Sequence, residues 1–176
     1  MAIRSGIKSF PPVFTADAEI LILGSMPGVE SLRMRQYYAH PQNRFWRIMG
    51  EIFGFTVEAP YERRLEILLG NDIALWDVIK SCEREGSLDS KIRNAVPNNF
   101  RWLFMSCPKI RTVFFNGRSP ENLFLRHVPE GFPGAVKKNV LPSTSPANAS
   151  MSYEKKLLAW REGLYRNINS GDKLNV

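Results

Sequence analysis

Apolar positions along this chain gather in short runs rather than long stripes. Ala18 to Gly24 (AEILILG) is nearly continuous in apolar residues and stops at a glycine. That is the pattern of a strand buried on both faces of a parallel sheet. Asp72 to Ile79 (DIALWDVI) and Ile110 to Gly117 (IRTVFFNG) repeat it, and the more polar Ala135 to Ser143 (AVKKNVLPS) reads as an edge strand. Between these runs the spacing is helical: Asn43–Phe53, Tyr61–Leu69 behind Pro60, Asn98–Met105, Ser119–His127 and Ser152–Ile168.

Strand then helix in alternation predicts an α/β fold, with three α/β/α layers around a central four-stranded parallel sheet, because each parallel crossover must be long enough to carry a helix. No repeat, linker or low-complexity tract divides the sequence. Residues 1–176 are therefore expected to form one domain, with the first ten or so residues and the last seven (SGDKLNV) loose. Ligands of such sheets sit beyond the carboxyl ends of the strands. This selects GSMPG (24–28) with the loop after it, Trp76-Asp77 onward, Phe115 to Pro120, and Leu141 to Ala149.

Charge narrows the partner. There are 24 Lys and Arg against 17 Asp and Glu, a net +7, which favours an anionic partner and nucleic acid first. Cys82 and Cys107 are far apart and outside any Cys-x-x-Cys or Cys/His cluster, so neither a disulfide framework nor a metal site is expected. No signal-like start and no apolar run near the ~20 residues of a membrane span is present. The expectation is a cytoplasmic protein, monomeric, with no membrane partner and no cofactor.

The selected segments each offer chemistry and a plainer alternative. The glycines and Pro27 of GSMPG allow backbone N–H groups to face an anion, or simply make a tight strand exit. Tyr37 and Tyr38 are adjacent and cannot both face one core, so one is read as pinning the loop and the other as a platform for a nucleobase. Asn43 suits a helix N-cap, a role compatible with chemistry. His40 invites a general-base role, but a lone loop histidine before proline is more often a structural hydrogen-bonder. Asn116 closes an apolar strand, where an amide has no packing purpose, and is read as a ligand contact rather than an Asx-turn. Asp77 interrupts its strand in the same way, for a ligand or for a cap or ion pair. Ser143, Thr144 and Ser145 lie between two prolines before the last helix, either gripping a phosphate or forming a turn.

Taken in order, G-S-M-P-G, the block Tyr38-Ala-His-Pro-Gln-Asn43-Arg-Phe-Trp46 and Leu141-Pro-Ser-Thr-Ser145 resemble the uracil-DNA glycosylase superfamily, most closely its hypoxanthine-DNA (deoxyinosine) branch. The resemblance implies that family's fold and a monofunctional glycosylase of base excision repair acting on a deaminated base in double-stranded DNA. Better-known branches carry Asp or Asn where this chain has Met26, and often histidine where it has Leu141. The resemblance therefore places Asn43 at the scissile bond. It also puts Asn116 on the base; with the reading of the segments above, Tyr38, Asp77, Ser25 and Met26 are expected around the base, and Gly24, Ser143, Thr144 and Ser145 on the flanking phosphates. A wedge is expected from Ala147 to Met151. The competing readings are a uracil or mismatch enzyme on the same scaffold, or a nucleic-acid-binding module without catalysis.

Overall fold

Leu21 and Leu23 point to one side of the central sheet, and Ile20 and Ile22 to the other, as the two-residue period of a strand requires. All four are fully buried, which explains why the run carries no polar residue. In the computed structural model, which describes residues 4–168, the elements in chain order are β1 (Arg4–Lys8), β2 (Ile20–Gly24), α1 (Val29–Met34), α2 (Phe45–Phe53), α3 (Tyr61–Gly70), β3 (Ile73–Asp77), β4 (Ile79–Arg84), β5 (Arg93–Pro97), α4 (Phe100–Ser106), β6 (Thr112–Asn116), α5 (Arg118–His127), β7 (Lys137–Leu141) and α6 (Tyr153–Ile168).

The four strands read from the sequence form one sheet in the order β3-β2-β6-β7, and every neighbouring pair is parallel. β7, the polar one, lies at the edge. One face is covered by Phe100, Leu103 and Phe104 of α4 and Leu123 and Phe124 of α5. The other is covered by Phe45, Trp46, Ile48 and Met49 of α2, Leu68 of α3, and Trp160 and Leu164 of α6. Each such side chain, taken fully out of water, contributes roughly 1.5–3 kcal/mol.

Two features were not expected. β1, β4 and β5 form a second, antiparallel sheet in the order β1-β4-β5. Residues 4–8, expected to be loose, thus pair with β4: Ile7 lies opposite Cys82 and Lys8 opposite Ser81. The run expected as one strand, Asp72–Ile79, is divided at Val78, whose N–H donates to Gly24 O while Ile79 begins the second sheet. The expected loose C-terminal tail lies outside the described residues.

Candidate active site

β2 is flanked by β3 on one side and β6 on the other, so the connections reverse direction there, the point at which open α/β sheets bind ligands. Gly24 pairs in register with Asp77, and Asn116 with Leu141, along the carboxyl edge. A cavity of about 160 Å³ opens above them. It is smaller than the ~300–1,000 Å³ of drug-sized sites, and so suits one flat heterocycle rather than a whole nucleotide. The ten residues picked from the sequence, Gly24, Ser25, Met26, Tyr38, Asn43, Asp77, Asn116, Ser143, Thr144 and Ser145, all line it.

Gly24 is required by contact. A Cβ there would lie 2.5 Å from Asp77 Oδ1 and 3.2 Å from Tyr38 Oη, so only glycine lets these groups close over the strand end. Asp77 is buried, and its Oδ2 accepts from Ser9 Oγ at 3.0 Å. Burial lifts its carboxyl to about 7, and the Asp89 charge adds to the rise, against the Ser9 hydrogen bond and the Arg84 guanidinium. A carboxylic acid that is half protonated at neutral pH has both a donor and an acceptor to offer.

Contrary to the expectation that adjacent rings cannot face one core, both tyrosines pack on the same cluster, their ring centroids 6.2 Å apart, because the left-handed backbone of Tyr38 turns its ring back toward it. Tyr37 is buried, and its Oη donates to Pro11 O while its carbonyl accepts from Trp46 Nε1 at 2.8 Å. It is the pin. Tyr38 adopts φ 55°, a left-handed conformation that is an outlier for a bulky residue and costs on the order of 1–3 kcal/mol. That twist lays its ring on Phe45 at 4.0 Å and 28°, and buries its Oη beside Gly24 and Asp77 without a well-formed hydrogen bond. Burial, then the Asp77 charge, push the Tyr38 phenol well above its ordinary range.

Asn43 Oδ1 accepts from Phe45 N–H at 3.0 Å, capping the start of α2 from just outside the helix. This fixes which end of the amide is oxygen and leaves Nδ2 uncommitted. His40 is exposed at the cavity rim. Its Nδ1 accepts from Gln42 N–H and its carbonyl from Asn43 N–H, so it shapes the turn that presents Asn43.

Asn116 spans two strands' loops. Its Nδ2 donates to Thr144 Oγ1 and its Oδ1 accepts from Thr144 N–H, both at 2.9 Å. Thr144 is fully buried and its carbonyl accepts from Arg44 N–H, so it anchors the turn while Ser143 and Ser145 are the partly exposed hydroxyls. Gly117, at φ 101°, makes the approach of that turn possible: a Cβ would sit 2.8 Å from Ser143 Cβ. Ser25 Oγ reaches Ser119 Oγ at 3.4 Å, and Met26 is buried in the cavity wall.

Residues 84–89 were missed. Arg84, buried in β4, donates to Pro27 O and, at 3.0 Å, to Gly86 O, and its guanidinium lies 3.9 Å from Asp89. Ser87 Oγ accepts from Val29 N–H at 2.9 Å, and both Ser87 and Asp89 line the cavity. The only signal was a Gly86-Ser87 turn behind a basic strand, which no local pattern ties to GSMPG. Among the described residues no group of three or more His, Cys, Asp or Glu is placed to hold a metal, and no helix is long and apolar enough to cross a membrane.

The family model of the uracil DNA glycosylase superfamily matches residues 11–168. The chain belongs to that superfamily. Two Methanosarcina proteins named hypoxanthine DNA glycosylase are similar to this glycosylase-family chain. The one from M. acetivorans is 43% identical over 148 residues, covering 82% of this chain and 90% of its own. The one from M. barkeri is 47% identical over 112 residues, covering 63% of this chain and 71% of its own. The fold is also similar to the solution NMR structure of an M. acetivorans protein provisionally described as a uracil DNA glycosylase, with TM-score 0.75, 39% identity, and coverage of 96% and 99% of the two chains.

Proposed function

We infer that this protein is a monofunctional DNA glycosylase of base excision repair that hydrolyses the N-glycosidic bond of deoxyinosine in double-stranded DNA, releasing hypoxanthine. The observation that carries the reading is the cavity at the β2–β6 switch point, where a stacked aromatic platform, two side-chain amides and a buried acid converge. The two similar proteins named hypoxanthine DNA glycosylase support it. The protein works as a monomer, inside the cell with the DNA.

A base in a duplex is out of reach, so the nucleotide must be extruded, at a few kcal/mol and least for a mispaired base such as hypoxanthine. The extruded ring lies on the open face of Tyr38, whose other face is backed by Phe45. Asn116 and the neutral form of Asp77 each present a donor and an acceptor, matching the ring N–H and carbonyl of hypoxanthine and mismatching adenine. Met26 closes the wall without supplying a charge.

Bond breaking leaves a cation-like sugar and an electron-rich base, which fixed dipoles can stabilise without a strong base. Asn43, with its Oδ1 already holding Phe45 N–H, keeps its second lone pair and its Nδ2 for a water near the sugar carbon. Ser143 and Ser145 grip a flanking phosphate from the turn that Thr144 anchors to Asn116. Among the described residues no lysine lines the cavity, which suits attack by water rather than by an amine.

The test is a set of duplexes carrying inosine, uracil, xanthine or a T·G pair, incubated with wild type and Asn43→Ala and then treated with alkali. The inosine duplex should break fastest, and the variant should lose about 10²–10³ in rate, as when one transition-state donor is removed. Absence of alkali-labile sites on inosine, or faster cutting at uracil, would overturn the assignment.

A further inference from the structure

A second concavity adjoins the cavity and shares Ser145 and Pro146 with it. Its wall also includes Arg44, Asn148, Met151, Tyr153 and Lys156. Lys156 is 4% exposed, although lysine is among the residues least often buried without a charge partner. Its ammonium makes one hydrogen bond, to Asn148 O at 2.6 Å, and among the described residues neither Lys156 nor Arg44 has a carboxylate within ion-pair distance.

The neighbouring cation behaves otherwise. Arg47 is stacked on the Tyr153 ring at 4.0 Å and lies 3.7 Å from Glu51, which also accepts from Tyr153 Oη. Arg47 is thus neutralised locally and Arg44 is not. The Arg44 backbone is tied to the serine turn, its N–H donating to Thr144 O, and its side chain is exposed. Two positive charges close enough to repel, one of them desolvated, have been left unpaired at the mouth of the site. Burial and then the Arg44 charge both depress the Lys156 ammonium below its ordinary value, a cost that an anion between them would remove.

The geometry points to a dedicated phosphate subsite formed by Arg44 and Lys156, which holds a DNA backbone phosphate adjacent to the one gripped by Ser143 and Ser145. It rests on the reading of the protein as a DNA glycosylase and adds the strand path, which leaves the cavity over Pro146 and runs toward the first turn of α6. Because Lys156 also tethers the Asn148 carbonyl, phosphate binding would set the 147–151 loop, whose Ala147, Ala149 and Met151 are exposed, against the duplex.

The experiment measures binding to two duplexes, one undamaged and one carrying a tetrahydrofuran abasic analogue, across a salt series. The proteins are wild type, Arg44→Gln, Lys156→Gln, the double variant Arg44→Gln/Lys156→Gln, Lys156→Arg, and Arg126→Gln, which removes an exposed charge on α5 remote from the groove. Arg44→Gln and Lys156→Gln should each weaken abasic-duplex binding about tenfold, and the double variant should lower the salt slope by about 0.9, the value for one phosphate. Lys156→Arg should retain both. An unchanged slope, or an equal drop in Arg126→Gln, would overturn the subsite. The abasic analogue carries no base, so loss of inosine excision in wild type would refute the substrate and leave this result standing.

Discussion

Asn116 and Thr144 hold each other at both ends: amide nitrogen to hydroxyl and backbone N–H to amide oxygen, each at 2.9 Å and buried. The clasp joins the end of β6 to the serine turn after β7, so the base side of the cavity and its phosphate side form one unit. Thr144→Val preserves the backbone bond but leaves Asn116 Nδ2 without its acceptor, at ~1–3 kcal/mol for a buried unsatisfied donor. A thermal midpoint lower by roughly 2–4 °C per kcal/mol is expected. Asn116→Ala should also change base preference. Unaltered inosine excision and unaltered preference would show that Asn116 only builds the turn.

Asn43 has a structural role and a chemical one, and a serine separates them. Asn43→Ser retains an oxygen to accept from Phe45 N–H, so stability should stay close to wild type, whereas Asn43→Ala should lose about 1 kcal/mol of capping. Both remove the amide, and both should lose excision. If the serine variant retains full single-turnover rate, the amide is not the catalytic group.

Asp77 makes stability depend on pH in an unusual direction for an acid. Its folded pKa, about 7, stands above the unfolded value of 3.8, so the folded state binds the extra proton. Stability is therefore complete below about pH 4 and declines as pH rises through 7, by on the order of 4 kcal/mol at 1.36 kcal/mol per pKa unit. Asp77→Asn keeps an acceptor for Ser9 Oγ and should show no such decline. Urea midpoints at pH 5 and pH 8 test this: wild type should fall relative to the variant at pH 8, and parallel behaviour would refute it.

Tyr38 should tolerate loss of its hydroxyl better than loss of its ring. Tyr38→Phe removes a buried oxygen without a well-formed partner and keeps the stack on Phe45, so the thermal midpoint should hold or rise. Tyr38→Ala removes the platform, and affinity for the extruded base should fall by ~1–3 kcal/mol. KM for an inosine duplex reads the second effect. An equal KM in both variants would mean that the base stacks elsewhere.

The chain announces some of this site and conceals the rest, for physical reasons. Buried parallel strands have nothing polar to hide, so Ile20–Gly24 and Thr112–Asn116 stand out, and the carboxyl-edge rule then finds Gly24, Asp77 and Asn116 without further help. Adjacency misled for Tyr37 and Tyr38, because the positive φ of Tyr38, which no local pattern announces, lets both rings pack on one core. β1, β4 and β5 were obscure because their exposed sides are basic and polar, and because their pairing joins residues about 75 positions apart, as Ile7 does with Cys82. Arg84, Ser87 and Asp89 owe their place in the site to that pairing. Lys156 looked like any surface lysine on an amphipathic helix, since its burial comes from the loop folded over it.

Arg84 gives the small sheet an influence out of proportion to its size. Among the described residues the guanidinium is the only side-chain donor to the Pro27 carbonyl, and the strand that carries it is paired directly with β1, Arg4 lying opposite Arg84. Trimming β1, or transplanting GSMPG into a relative that lacks an equivalent arginine, would loosen the turn at the cavity without touching a residue that lines it. Variants shortened at the amino end should therefore be judged by turnover and not by solubility alone.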